Sequence, residues 1–453
     1  MKAEEKFPAA FTDRMQRRLG NEAESFFGAL CEEPVISIRS NPLKRALPAM
    51  RQPVPWCDTG YYLDQRPVFT FDPVFHAGCY YVQEASSMFL EQAILQLNLH
   101  EQTILALDLC AAPGGKTTHL ASLLSADSLI LSNETIQTRT ASLKENVIKW
   151  GSGNVLVTQN DPAAFAAMDS MFDLVVTDAP CSGEGLFRKD PDSIGHWSQA
   201  NGELCASRQQ RILRDVLPAL KPGGILIYST CTYNEKENEA QVKWLSGSGL
   251  IPQRLDISKY EGVEELSEDN LYGYVFYPHK VRGEGFFLAA FRKEGDTTND
   301  VSYRSRKGIF QPLPRVLRNV ENWIKPDSGT QLFQRGEQVI ALPVQWKEAI
   351  EYFHEVLHVK VAGTVIADIK GDKTIPHHGL AMSSGLNKNA FECVEVNKEV
   401  ALSFLRKETM TIPAAEKGWK AVTHQGAVLG WLNHLGNRSN NYYPVEWRIR
   451  KAN

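Results

Sequence analysis

Two cysteines stand where a covalent catalyst would hold them. Cys181, in FDLVVTDAPCSG, and Cys231, in GGILIYSTCTYNEKENE, each follow a strongly apolar, β-branched stretch that predicts a buried parallel strand. In open parallel α/β sheets, ligands bind in the crevice at the carboxyl ends of the strands, so both thiols fall on one functional edge. A thiolate is a strong nucleophile, and a second thiol in reach could help break the bond that the first one makes. Taken singly, a cysteine after a strand is ordinary core.

Upstream of both, LDLCAAPGGKTTHL runs from a strand through Pro-Gly-Gly into a helix, so bare backbone approaches a ligand beside the helix amino terminus. Cys110, Ala111, Ala112, Pro113, Gly114, Gly115 and Lys116 form this candidate cofactor loop. A phosphate-binding P-loop fits at Gly115, Lys116 and Thr117 but fails at its first glycine, where Cys110 stands, and no dinucleotide G-x-G-x-x-G occurs. Glu134 follows Gly115 by nineteen residues, close to the offset at which an acid holds ribose hydroxyls. Asp161, after the third strand, could meet an adenine edge, and Asp178 ends the fourth. Each acid alone reads as a helix cap or solvated loop residue, but three after successive strands point to an adenosine-bearing ligand. His119 reads as a satisfied side chain without a catalytic part.

The elements that position these groups follow from the apolar pattern. Strands are expected at 104–109, 128–133, 154–159, 172–178 and 224–230 with helices between them, which predicts a doubly wound, Rossmann-like α/β sheet. YGYVFYP and GFFLAAFRK should close it with a hairpin-like pair, leaving the sheet mostly parallel with one antiparallel strand. At 453 residues the chain needs more than one domain. The expected division is a small α+β domain over 1–80, a catalytic domain over 81–293, a linker over 294–328 and a β-rich domain over 329–453.

Composition narrows the function classes. No apolar run is long enough to span a bilayer and the amino terminus lacks a signal-peptide core, so the expected location is cytoplasmic. The eight cysteines contain no C-x-x-C pair, so no metal is expected. Residues 301–453 hold 21 Lys and Arg against 14 Asp and Glu, a net +7, whereas residues 1–300 carry −11. Such asymmetry suggests a nucleic-acid-facing module on a more acidic catalytic body, with a solvated basic surface as the plain alternative.

CAAPGGKT, DAPCSGEG and YSTCTYNEKENE, in this order, resemble the motifs of the NOL1/NOP2/Sun family of S-adenosylmethionine-dependent RNA cytosine-5 methyltransferases, and PHKVRGEGFFLAAFRK resembles a run near the end of that catalytic domain. The carboxyl-terminal segment ending GWLNHLGNRSNNYYPVEWRIRK is similar to the bacterial RsmF-like branch, which modifies small-subunit ribosomal RNA and carries a PUA-like tail. The resemblance implies Cys231 as nucleophile at carbon 6 of cytosine, Cys181 as the residue that releases product, and Asp178 as the group that bonds the base at nitrogen 3. It also implies a flipped or looped-out base and small-subunit ribosomal RNA or the 30S subunit as partner. A monomer is the expected form.

Asn234 followed by Glu237 reads as a capped helix start whose dipole would favour the Cys231 thiolate. Trp431, Tyr442, Tyr443, Trp447, Arg448 and Arg450 could clamp RNA, although many should be domain core. Other readings are a tRNA cytosine-5 methyltransferase, a non-catalytic RNA-binding ribosome-assembly factor and a P-loop NTPase, the last disfavoured at Cys110.

Overall fold

The computed structural model describes residues 3–44, 52–296, 308–409 and 416–451. Two helices, Ala9–Leu19 and Ala23–Leu30, lead into a four-stranded antiparallel sheet of β1 (Ser37–Ser40), β2 (Pro53–Val54), β3 (Cys57–Tyr62) and β4 (Tyr80–Val82), in the order β2-β3-β1-β4. The helix Leu90–Gln96 then opens the βα alternation.

Five apolar runs form the parallel body of the central sheet: β5 (Leu105–Asp108), β6 (Leu129–Asn133), β7 (Val155–Thr158), β8 (Phe172–Asp178) and β9 (Leu220–Thr230). Their order is β7-β6-β5-β8-β9, so the chain reverses direction across the sheet between β5 and β8. A ligand crevice opens at such a switch point, beyond the carboxyl ends of those two strands.

β10 (Leu250–Gln253), β11 (Val263–Glu268), β12 (Leu271–Phe276) and β13 (Phe286–Lys293) complete one edge. β13 lies antiparallel beside β9 and pairs with both β10 and β12. The antiparallel part is thus larger than the single closing strand the sequence suggests. Its cause is local: Asp269 and Asn270 both take positive φ, 52° and 63°, which lets a two-residue turn fold β11 onto β12.

A second antiparallel sheet holds β14 (Gln311–Pro312), β15 (Thr330–Arg335) and β16 (Gln338–Pro343). β17 (Val359–Ala362) leaves that region and adds an antiparallel strand beside β7. β18 (Thr364–Lys370) and β19 (Lys373–Pro376) return to the second sheet. The last sheet orders β20 (Glu392–Glu395), β21 (Gly418–His424), β22 (Ala427–His434) and β23 (Ser439–Asn441) in sequence. Within the expected linker, residues 297–307 lie outside the described residues, and Arg315–Trp323 forms a 3-10 helix.

Alternation along the parallel strands builds a core on each face. Leu105, Leu107, Leu129, Leu131, Val175 and Leu226 face one layer, which also takes Phe11, Phe26 and Phe27 from the first helices and Phe353 from the helix Lys347–Val356. Ala106, Ile130, Leu174, Val176 and Ile225 face the other, with Trp56 and Tyr62 of the first sheet. Segments far apart in the chain therefore share the core of the central sheet. Among the described residues no helix is long and apolar enough to cross a membrane.

Candidate active site

β5 ends in Asp108, whose buried carboxylate accepts a hydrogen bond from Thr117 Oγ1 at 2.6 Å. Burial pushes its pKa up to about 7, outweighing the Thr117 hydrogen bond and the Lys116 charge, which act to lower it. The chain then turns through Cys110–Gly114, with a cis peptide between Ala112 and Pro113 and Gly114 at φ 112°. Arg139 Nη2 donates to Ala112 O and Asn146 Nδ2 to Pro113 O, both at 2.8 Å, so the helix Gln137–Trp150 straps the loop. The helix Gly115–Leu123 starts directly after it.

Lys116 reaches across the switch point to Asp178, with Nζ 2.7 Å from Oδ2. Ser229 Oγ donates to the other oxygen, Oδ1, at 3.0 Å. Asp178 is thereby fixed from the helix that follows β5 on one side and from β9 on the other. Three residues on, the turn after β8 carries Cys181, and the turn after β9 carries Cys231. Their sulfurs are 3.0 Å apart, and the Cys231 backbone N–H points at Cys181 Sγ at 3.3 Å. The hydrogen bond to Cys231, joined by burial, raises the Cys181 pKa well above the usual thiol value, so Cys181 keeps its proton.

A cavity of about 280 Å³ joins these parts. Cys110–Pro113, Lys116, Asp178 and Cys231 line it, together with Tyr81–Glu84 and Glu284–Phe286; Cys181 does not. Glu134 and Asp161 are not on its wall either. Glu134 is only 4% exposed, accepts from Ile136 N through Oε1, and leaves Oε2 buried with no hydrogen-bond partner. A buried carboxylate oxygen without a donor fits a ribose hydroxyl. Asp161 instead caps the short helix Pro162–Phe165 through Ala163 N and pairs with Arg211 at 3.2 Å. The Ala163 N–H bond, ahead of Arg211, lowers its pKa.

The expected helix start at Asn234 is not formed. Asn234 Oδ1 accepts from Lys236 N in a local turn, and the helix begins only at Glu239. Glu237 is buried and binds the Cys181 turn instead: it accepts from Ser182 N at 2.8 Å, Asn234 Nδ2 at 2.9 Å and Gln209 Nε2 at 3.1 Å. The acid that looked like a cap holds the two catalytic turns together.

Further residues outside the motifs complete the site. Glu284 accepts from Arg188 Nε at 2.8 Å, while Glu84 accepts from Glu284 N at 2.8 Å. Gly185 and Gly285 touch backbone to backbone beside the nucleophile, and a Cβ on Gly185 would lie 2.4 Å from Gly285 O. The repeated GEG in SGEGLFRK and RGEGFF was the available signal. His119 Nε2 donates to Glu91 Oε2 at 2.9 Å, with Cys57 Sγ 3.8 Å away, and the three side chains are buried together. In the tail Trp431 and Tyr443 are core, whereas Tyr442, Arg448 and Arg450 are exposed.

Comparison with known families matches "16S rRNA methyltransferase RsmB/F" over residues 94–292, the "N-terminal domain of 16S rRNA methyltransferase RsmF" over 7–85 and the "Methyltransferase RsmF PUA domain" over 391–449. The chain is 31% identical over 478 residues to ribosomal RNA small subunit methyltransferase F of Erwinia tasmaniensis, covering 97% of the chain and 96% of that relative. The Aliivibrio fischeri protein of the same name is 31% identical over 472 residues, covering 97% of each. A methyltransferase homolog protein from Pyrococcus horikoshii superposes with a TM-score of 0.54 at 30% identity, over 63% of this chain and 95% of that one. NSun6 from Pyrococcus horikoshii, solved with SFG, has a TM-score of 0.52 at 22% identity over 64% and 99%, which shows the fold.

Proposed function

The chain belongs to the ribosomal RNA small subunit methyltransferase F family, and from that premise we propose that it methylates carbon 5 of a cytosine in 16S ribosomal RNA through a covalent bond from Cys231 to carbon 6. One observation carries this reading: two sulfurs at 3.0 Å, one of which opens on the cavity that also holds the glycine loop and Asp178. A methyl transfer without covalent activation would need neither thiol.

S-adenosylmethionine, when bound, supplies an electrophilic methyl group on a sulfonium. Cys110–Lys116 would hold it by backbone contacts, Glu134 would take the ribose hydroxyls through Oε2, and Asp161, whose Oδ1 takes both Ala163 N and Arg211, would serve the adenine edge through Oδ2. Cys231 loses its proton to Asp178 and adds its sulfur lone pair to carbon 6, and the displaced electrons of the ring make carbon 5 nucleophilic. Asp178, oriented by Lys116 and Ser229, delivers that proton to nitrogen 3, neutralises the charge that attack develops there and takes the proton back once the ring is restored.

After carbon 5 has taken the methyl group, its proton must leave. Removal of that proton returns the electron pair to the ring, and the bond between carbon 6 and Cys231 breaks with the sulfur departing as thiolate. Cys181, held protonated against Cys231, gives its proton to the departing sulfur and takes up the carbon 5 proton in exchange, so that both thiols end as they began. The test uses labelled donor and ribosomal RNA. Cys231→Ser should abolish transfer, whereas Cys181→Ser should accumulate a protein–RNA adduct that survives denaturing electrophoresis. Transfer at the normal rate by Cys231→Ser would refute the mechanism.

A further inference from the structure

We infer that the cleft between the helix Gln137–Trp150 and the second sheet grips the phosphate backbone of the RNA whose base enters the catalytic cavity, an inference that rests on the function proposed above. The cleft encloses about 180 Å³. Lys144 and Ser152 line one side; Arg335, Lys360 and His377 line the other, and no carboxylate is among the described residues that form it.

Charge and partnering favour a polyanion. Lys144, Arg335 and Lys360 are exposed, and none has an ion-pair partner among the described residues. Arg335 Nη1 faces His354 Nε2 at 3.2 Å, and burial, followed by Arg335 itself, pushes that imidazole down to about 4, so the contact neutralises nothing. Ser152 Oγ is buried with no hydrogen-bond partner and adds a polar group to the same wall. Three exposed cations without an ion-pair partner, held on three separate elements, offer an approaching phosphate chain the counter-charges it needs.

Position favours the substrate RNA over an unrelated anion. The helix that supplies Lys144 also supplies Arg139 and Asn146, which hold the donor loop by its carbonyls. Lys144, two residues from Asn146, projects from the opposite face of that helix, away from the donor loop. β17, which carries Lys360, is hydrogen-bonded to β7, whose end leads into Asn160 and Asp161. The cleft is therefore built onto the outer side of the donor site, with its cations drawn from both the catalytic sheet and the basic carboxyl-terminal third.

The experiment is RNA binding as a function of salt. The triple variant K144Q/R335Q/K360Q should lower the slope of log Kd against log salt by about 2, since each phosphate contact on a single strand contributes roughly 0.7. RNA affinity near 0.1 M salt should fall roughly tenfold, donor affinity should stay within twofold, and K144R/K360R should bind as the wild type does. Where the triple variant fails to fold, K360Q alone should lower the slope by about 0.7. Wild-type affinity and slope in a variant that still binds donor would overturn the inference. A wild type that binds RNA with the full slope yet transfers no methyl group would instead sink the proposed function, and the binding result would still decide the cleft.

Discussion

Cys181 Sγ lies 3.0 Å from Cys231 Sγ, yet only Cys231 borders the cavity that holds the donor loop and Asp178. The pair is asymmetric although both thiols follow neighbouring parallel strands. Cys231 meets whatever enters; Cys181 meets Cys231. Because parallel strands β8 and β9 are in direct register, with Asp178 opposite Ser229, the two turns cannot slide apart without breaking the sheet.

The same proximity makes the pair oxidisable. A disulfide needs about 2.05 Å between sulfurs, so an approach of roughly 1 Å suffices. Diamide, which accepts two electrons and two protons, should join Cys181 to Cys231 and lower methyl transfer by more than tenfold; dithiothreitol should restore it. Peptide mapping checks the linkage. Inactivation with both thiols still open to alkylation would contradict the prediction.

Asp108 gives the fold a pH dependence of known sign. Its folded pKa of about 7 exceeds the ordinary carboxyl value of 3.8, so between these values the native state holds a proton that the unfolded chain has lost. Its contribution to stability is therefore fully present below about pH 4 and is lost as pH rises through 7. Asp108→Asn removes this dependence while still accepting from Thr117. Denaturant melts should show the variant gaining on the wild type by up to about 4 kcal/mol between pH 4 and 8. A constant difference across that range would contradict the assignment.

Glu134 tests the donor site separately from the chemistry. Its Oε2 is buried without a donor, and the Arg139 guanidinium is 3.5 Å away. Glu134→Gln keeps the size but loses the charge, which strengthens a hydrogen bond from a ribose hydroxyl by about 1.5–3 kcal/mol. Donor affinity by calorimetry should fall roughly 10- to 100-fold, with RNA affinity unchanged. Unchanged donor affinity would remove Glu134 from the site.

How far the sequence shows this arrangement depends on whether the signal is local. The five parallel strands and the positions of Cys181, Cys231 and Asp178 could be read because β-branched runs ending at turns fix both strand and edge. β17 could not, since Val359–Ala362 pairs with Val155–Thr158 some two hundred residues earlier and its short run has no pattern naming that partner. Glu237 departs from its sequence pattern for a related reason. Its spacing from Asn234 suits a helix cap, but burial beside Ser182 and Gln209 gives the carboxylate better donors than a helix terminus offers. Gly185 and Gly285 failed to stand out because a glycine's role there is an absence of atoms.

That absence makes the last prediction. A Cβ on Gly285 would lie 2.4 Å from Tyr233 Cζ and 2.7 Å from Gly185 Cα. Tyr233 cannot yield: its ring is fully buried, edge-on to Phe26 at 5.1 Å and stacked on Tyr277 at 5.6 Å. The strain must part the two glycine turns, and Gly185 N is the donor that holds the Cys231 carbonyl at 2.9 Å. Gly285→Ala should therefore cost about 1–3 kcal/mol of stability, as overpacking does, and shift the nucleophile. Methyl transfer should drop by about 100-fold, the size of effect that a 1 Å misplacement of a reacting group produces. A Gly285→Ala variant with normal turnover would mean that the close approach of these turns does not position Cys231.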